Sequence, residues 1–309
     1  MPELNVIREK TLMREWSRAR RYQGETVALV PTMGFLHEGH LSLIRTAKSV
    51  ANFIVVSIYV NPGQFAPSED LSTYPSDLVG DLRKLSDAGV DAVFCPADLY
   101  LSASGDDSAR HSGDAVSQSE GNSCVEDGNR DHETWVRVEK LEKGMCGASR
   151  PVFFRGVATV VAKLFNIVEP DIAVFGKKDY QQWRVICRMV RDLDFDIRII
   201  GADIVREFDG LAMSSRNVHL SPLDREKALS IYESLRKAKV AVEGGQRNCQ
   251  ELIALTKKTI SEAGGKIDYV EIVEQQSLKT AEEIVCPVVL CVAAWFGNVR
   301  LIDNIELNI

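Results

Sequence analysis

A doubly wound, parallel α/β sheet followed by a smaller α+β unit is the fold class that the sequence predicts. Three observations lead there. Short apolar runs rich in β-branched residues alternate with helical patterns as far as residue 203, the signature of a parallel sheet covered on both faces. Beyond Val205 the pattern changes to longer helices and separate strands. The polar motifs of the first part sit just after predicted strands, and such sheets bind ligands beyond the carboxyl ends of their strands.

Taken in order, the N-terminal stretch MPELNVIREKTLMREWSRARRYQG reads as an amphipathic helix with Leu12, Trp16 and Ala19 on one face, stopped by Gly24. It is arginine-rich without the apolar core of a secretory signal, and Glu3, Glu9 and Glu15 argue against an organelle transit peptide. Strands are predicted at 26–31, 53–60 and 91–95, with helices at 40–51 (Leu41, Ile44 and Ala47 inward) and 77–88. A helix at 158–168, a strand at 172–175, a helix at 180–192 and a strand at 195–201 complete the sheet. Helices at 224–242 and 249–263, with strands at 269–273 and 288–294, form the second unit. The expected division is 1–203 and 204–309.

Composition narrows the function. Hydrophobic residues make up 45% and charged residues 26% of the 309, ordinary for a globular chain, and no run approaches the ~18 apolar residues of a membrane span. Residues 102–132 contain no Leu, Ile, Met or aromatic residue, and their charges alone sum to −5 of the chain's −7. Such a segment cannot bury enough apolar area to order itself, so a flexible acidic insertion is expected. With no basic stripe, nucleic acid is a poor partner. Seven scattered cysteines, none spaced C-x-x-C, fit neither a disulfide framework nor a zinc ribbon and suit a reducing, cytosolic setting.

Four short motifs carry chemistry. PTMGFLHEGH, residues 31–40, sets His37 and His40 three apart between Gly34 and Gly39, at a turn entering a helix. Free N–H groups and the positive dipole end favour an anion there. A zinc site would need a third ligand from only three other histidines, which makes phosphate the better reading. NPGQF, residues 61–65, is a turn that by itself accounts for everything except Gln64. FGKKDYQQ, residues 175–182, offers lysines after a strand-end glycine and a helix start capped by Asp179; a solvated turn is the plain alternative. MSSRN, residues 213–217, suits phosphate binding or simple helix capping by serine.

Together, in order and spacing, these motifs resemble the pantoate–β-alanine ligases, a family of the nucleotidyltransferase superfamily related to class I aminoacyl-tRNA synthetases. PTMGFLHEGH is similar to that family's His-x-Gly-His signature and MSSRN to its phosphate-binding loop; FRGVATVVAKLFNIVEPD resembles a further family block. The insertion and the GKKDYQQ wording look most like plant members. The resemblance implies a Rossmann-like nucleotidyltransferase domain with a C-terminal lid, ATP and Mg²⁺, the substrates pantoate and β-alanine, a pantoyl-adenylate intermediate, and a homodimer in the cytosol. Carried over by position, His37, His40, Lys178 and Arg216 are catalytic. Met33, Gly34, Gly176, Asp179, Val205, Met213, Ser214 and Ser215 join those four around ATP. Gln64, Gln182 and Met33 hold pantoate, and Asp81 contacts the metal. Two departures stand out: Arg150-Pro-Val-Phe-Phe154 where many members have Arg-Pro-Gly-His-Phe, and Lys177 where they have an acid. Another small-substrate ligase, or a binding protein of the same fold, are the alternatives that the motifs leave.

Overall fold

The structure, a computed structural model, describes residues 4–67, 69–100 and 132–308. Apart from His132, the acidic insertion expected at 102–132 lies outside these residues, as does Cys124.

Six parallel strands form the larger sheet: β1 (Asn5–Ile7), β2 (Val27–Thr32), β3 (Phe53–Ile58), β4 (Ala92–Phe94), β5 (Ile172–Gly176) and β6 (Arg198–Ala202). Their spatial order is β1-β4-β3-β2-β5-β6. The chain winds outward from β2 in one direction and then, at β5, in the other, so the switch point lies between β2 and β5. Alternate residues of the central strand feed opposite cores. Val27 and Leu29 join the side chains of α1 (Lys10–Arg21), α5 (Phe153–Val168) and α6 (Tyr180–Asp192). Ala28 and Val30 join those of α2 (Glu38–Lys48) and α3 (Leu78–Asp87) on the other face. The doubly wound expectation is therefore correct.

The second unit is a three-stranded antiparallel sheet, β7 (Lys266–Glu274), β8 (Val288–Phe296) and β9 (Val299–Leu307), covered by α7 (Pro222–Glu243) and α8 (Cys249–Glu262). Ser221 and Asn248 cap those helices through their side chains. A short helix, α4 (Met145–Ser149), bridges to this sheet, its Met145 packing with Tyr180, Val273 and Val289. No helix among the described residues is long and apolar enough to cross a membrane.

Several local expectations need correction. In α1 the buried residues are Met13 and Ser17, whereas Leu12 and Ala19 are exposed. The inward face is turned because Trp16 and Arg20 pack against Phe53. Helix α5 starts five residues earlier than its pattern predicts. The strand expected from 195 begins only at Arg198, because Asp194 adopts a positive φ of 53° and Phe195 bonds back to Val190. Strands β1 and β9 lie outside the expected set.

Candidate active site

The carboxyl ends of β2, β3, β5 and β6 open into one cavity of about 240 Å³. After β2 the chain makes a strained turn, Gly34 at φ 86° and Phe35 at 52°. Asp81, in the first turn of α3, stabilises that turn from beneath: its two carboxylate oxygens accept the Phe35 and Leu36 amides, each at 2.7 Å. The turn delivers His37 as the N-cap of α2. His37 Nδ1 accepts from the Gly39 amide at 3.1 Å, and His40 Nδ1 accepts from the His37 amide at 3.3 Å. A Cβ on Gly39 would lie 2.8 Å from the His37 ring, so the fold-back of that ring requires glycine.

These bonds define the protonation of both rings. With each Nδ1 accepting, the proton of the neutral imidazole sits on Nε2. Burial, with Lys178 and Lys84 nearby, lowers the His37 pKa to about 4. Burial, then the neighbouring His37 and the two lysines, lowers that of His40 to about 3. The ring centroids are 4.1 Å apart. The result is a pair of neutral N–H donors at a helix N-terminus, beside Lys178.

The cavity's other end is apolar with a few fixed amides. Val157, Val161 and Leu164 of α5 form its wall. Gln64 accepts at Oε1 from Asn61 Nδ2 (2.9 Å), which turns its Nε2 toward Met33 Sδ at 3.2 Å. Across the cleft, Ser214 caps the turn Ser215–His219 by accepting from the Arg216 amide. Ser215 Oγ donates to the Phe35 carbonyl at 3.2 Å, tying this loop to the histidine turn. Arg216 forms a two-pronged pair with Asp70 (2.8 and 3.0 Å) and lies over Tyr74.

Comparison with known proteins gives the same direction over the full length. The model of the family described as pantoate-beta-alanine ligase matches residues 5–306. The pantoate–beta-alanine ligase of Oryza sativa is 65% identical, covering 99% of this chain and 97% of its own. That of Arabidopsis thaliana is 60% identical over 99% of each. The chain belongs to the pantoate–β-alanine ligase family. Among solved structures, pantothenate synthetase from Thermus thermophilus superposes with a TM-score of 0.85 at 37% identity, covering 99% of this chain and all of that one. The Francisella tularensis ligase, solved with beta-gamma ATP and β-alanine, gives 0.73 at 30% identity over 98% and 97%.

For a member of this family, most of the expected site residues fall together. Met33, His37, His40, Gln64, Gly176, Lys178, Asp179, Gln182, Val205, Met213, Ser214, Ser215 and Arg216 all line the cavity. Gly34 does not; it shapes the turn behind it, with Asp81 and Ile58 where a side chain would go. Asp81 does not either. It is 1% exposed and its oxygens are used by backbone amides, so it does not fit a metal ligand. Among the described residues no group of three His, Cys, Asp or Glu could hold a metal ion. Asp179 precedes α6 without capping it through its side chain. Lys177 turns away from Lys178 to pair with Asp203 (3.1 Å) and Glu306 (3.2 Å).

Sequence reasoning missed Asn61, Tyr74 and Arg150 on the cavity wall. Asn61 is hidden by its turn, because Asn-Pro-Gly makes sense without a ligand. Arg150 is held by Glu69, and its guanidinium stacks 3.8 Å from the ring of Phe153.

Proposed function

We propose that this cavity activates pantoate as an acyl-adenylate and transfers the acyl group to β-alanine. The net activity, pantothenate from pantoate, β-alanine and ATP, follows from family membership over the whole chain. In the first step a pantoate carboxylate oxygen attacks the α-phosphorus, and the bond to the β-phosphate breaks, releasing pyrophosphate. In the second the β-alanine amine attacks the acyl carbon, the bond to phosphate breaks, AMP leaves and the nitrogen loses its proton. The single observation that carries this reading is the preset pair of Nε2–H donors on His37 and His40. Donors aimed before reaction at a site where charge develops stabilise a transition state without reorganisation. Lys178 adds a point charge, and Arg216 with Ser214 and Ser215 supplies the opposite jaw. Gly176, Asp179, Val205 and Met213 border the nucleoside, while Gln64, Gln182 and the valine wall take pantoate's polar groups and methyls. Residues 204–309 act as a lid over the 1–203 domain, keeping water from the adenylate. A homodimer, magnesium arriving with ATP, and the cytosol complete the reading.

ATP–pyrophosphate exchange tests it. Exchange that requires pantoate, with AMP release on adding β-alanine, is expected. His40→Ala should lower exchange by roughly 10²–10³-fold, the usual loss for one preorganised donor, while the protein still unfolds in one cooperative transition, its Tm lowered only by the lost cap bond. Normal exchange in that variant would remove His40 from the mechanism; exchange with another acid in place of pantoate would overturn the substrate.

A further inference from the structure

The cavity's polar end depends on a second layer of residues. Gln64 is 7% exposed and Asn61, which directs it, is 1% exposed. The Asn61 Nδ2 is fully used, donating to Gln64 Oε1 at 2.9 Å and to the Gly156 carbonyl at 3.1 Å. Its Oδ1 therefore needs a donor, and receives one from the Tyr100 hydroxyl at 2.6 Å. Tyr100 is 3% exposed and lies outside the cavity lining.

Its ring is held tightly. His132 meets it edge-on at 4.8 Å, Trp135 lies at 5.9 Å, and the Lys163 ammonium sits 5.2 Å from its centre. Beneath it, a Cβ on Gly63 would come within 2.8 Å of the Tyr100 hydroxyl. The phenol thus rests directly on the backbone of the turn Pro62–Gln64. Burial raises its pKa above the ordinary tyrosine value, so it stays a protonated donor. Since Asn61 can offer only Oδ1, the bond runs from phenol to amide.

We propose that Tyr100 is a positioning residue for pantoate: its hydroxyl fixes the Asn61 carboxamide, and Asn61 fixes which end of Gln64 faces the substrate. The proposal rests on the reading of Gln64 as a pantoate ligand. Removing the hydroxyl leaves a buried acceptor unsatisfied and frees the Asn61 amide to tilt, so Gln64 presents its amide less often. An uncharged hydrogen bond contributes about 0.5–1.5 kcal/mol, which corresponds to roughly 2–10-fold in pantoate affinity.

The test is a cycle of Tyr100→Phe, Gln64→Ala and the double variant, with separate KM values for pantoate and ATP and a thermal unfolding curve for each. Tyr100→Phe keeps the ring, so folding should be retained. Expected are a pantoate KM raised roughly 2–10-fold, an ATP KM within about twofold, and no further rise when the change is made in the Gln64→Ala background. An unchanged pantoate KM in Tyr100→Phe, while Gln64→Ala raises it, overturns the proposal. So do equal rises in both KM values, or effects that multiply in the double variant, because either marks a general structural role. If Gln64→Ala itself leaves the pantoate KM unchanged, the failure belongs to the pantoate assignment beneath it.

Discussion

The two histidines of α2 are held neutral by their surroundings. Each Nδ1 is taken by a backbone amide, and burial with adjacent lysines pushes both pKa values far below the ordinary 6.5. An unfolded chain would protonate these rings near pH 6.5, whereas the folded one resists down to about 4 and 3. Between those limits the unfolded state binds more protons, so stability falls as pH drops through 6.5 toward 4; above 6.5 both states are neutral and the effect vanishes. The apparent Tm of the parent should therefore drop from pH 7 to pH 5 by more than that of a His37→Asn/His40→Asn double variant. Equal drops would mean that the rings titrate normally. This pair is legible in the sequence because two histidines and two glycines in ten residues, directly after an apolar run, suit an anion-binding turn far better than a packed helix. The purpose of Asp81 is not, since a carboxylate that binds a metal and one that binds two amides look alike until the turn at Gly34–Phe35 is seen.

At the scale of elements, the site depends on how closely α5 approaches the turn Pro62–Gln64. Gly156 makes that approach possible: a Cβ there would fall 2.0 Å from the Gly63 carbonyl oxygen and 2.5 Å from the Gln64 amide nitrogen. Gly156→Ala must push helix and turn apart, an overpacking that typically costs ~1–3 kcal/mol. A lowered Tm with a raised pantoate KM is the expected pair, read by differential scanning calorimetry and steady-state kinetics. Gly176→Ala, whose nearest neighbour would be Leu43 at 3.9 Å, should leave Tm unchanged. The same glycine makes the start of α5 hard to read from sequence. Pro151 and Gly156 both weaken a helical pattern, and only tertiary contact with the turn shows why glycine is there. Strand β9 escapes for a related reason: Asp303 and Asn304 interrupt its apolar run, yet both are buried, Asp303 paired with Arg206 and Asn304 bonded to the backbone of Lys177 and Lys178. The central strands, apolar and bounded by turns, carry no such conflict.

Across the whole molecule, the two sheets meet at the turn that carries Lys178. From β9, Asn304 donates to the carbonyls of Lys177 and Lys178 at 2.9 and 3.0 Å, so the second sheet grips the backbone of the turn that brings Lys178 to the cavity. Arg206 closes on the buried Asp303 beside it. Lys177 completes this seam by pairing with Asp203 at the end of β6 and Glu306 on β9. The sequence marks Lys177 as a departure but cannot give its partners, which lie 26 and 129 residues away. In this chain the seam is matched to a cation, so Lys177→Glu would set a third carboxylate against two. Of the two lost pairs, the one with Asp203 contributes little, since Asp203 is largely exposed and such bridges give ~0–1 kcal/mol; Glu306 is the more shielded partner. Repulsion adds to the loss, and the Lys178 turn must shift to relieve it. Lys177→Met removes both pairs without adding a carboxylate and isolates the first effect. The acidic variant should show a lower Tm than the methionine variant and a higher ATP KM, and added salt should narrow the gap as screening grows. Equal behaviour of the two variants, or a gap indifferent to salt, would show that Lys177 carries no electrostatic part in joining the two sheets.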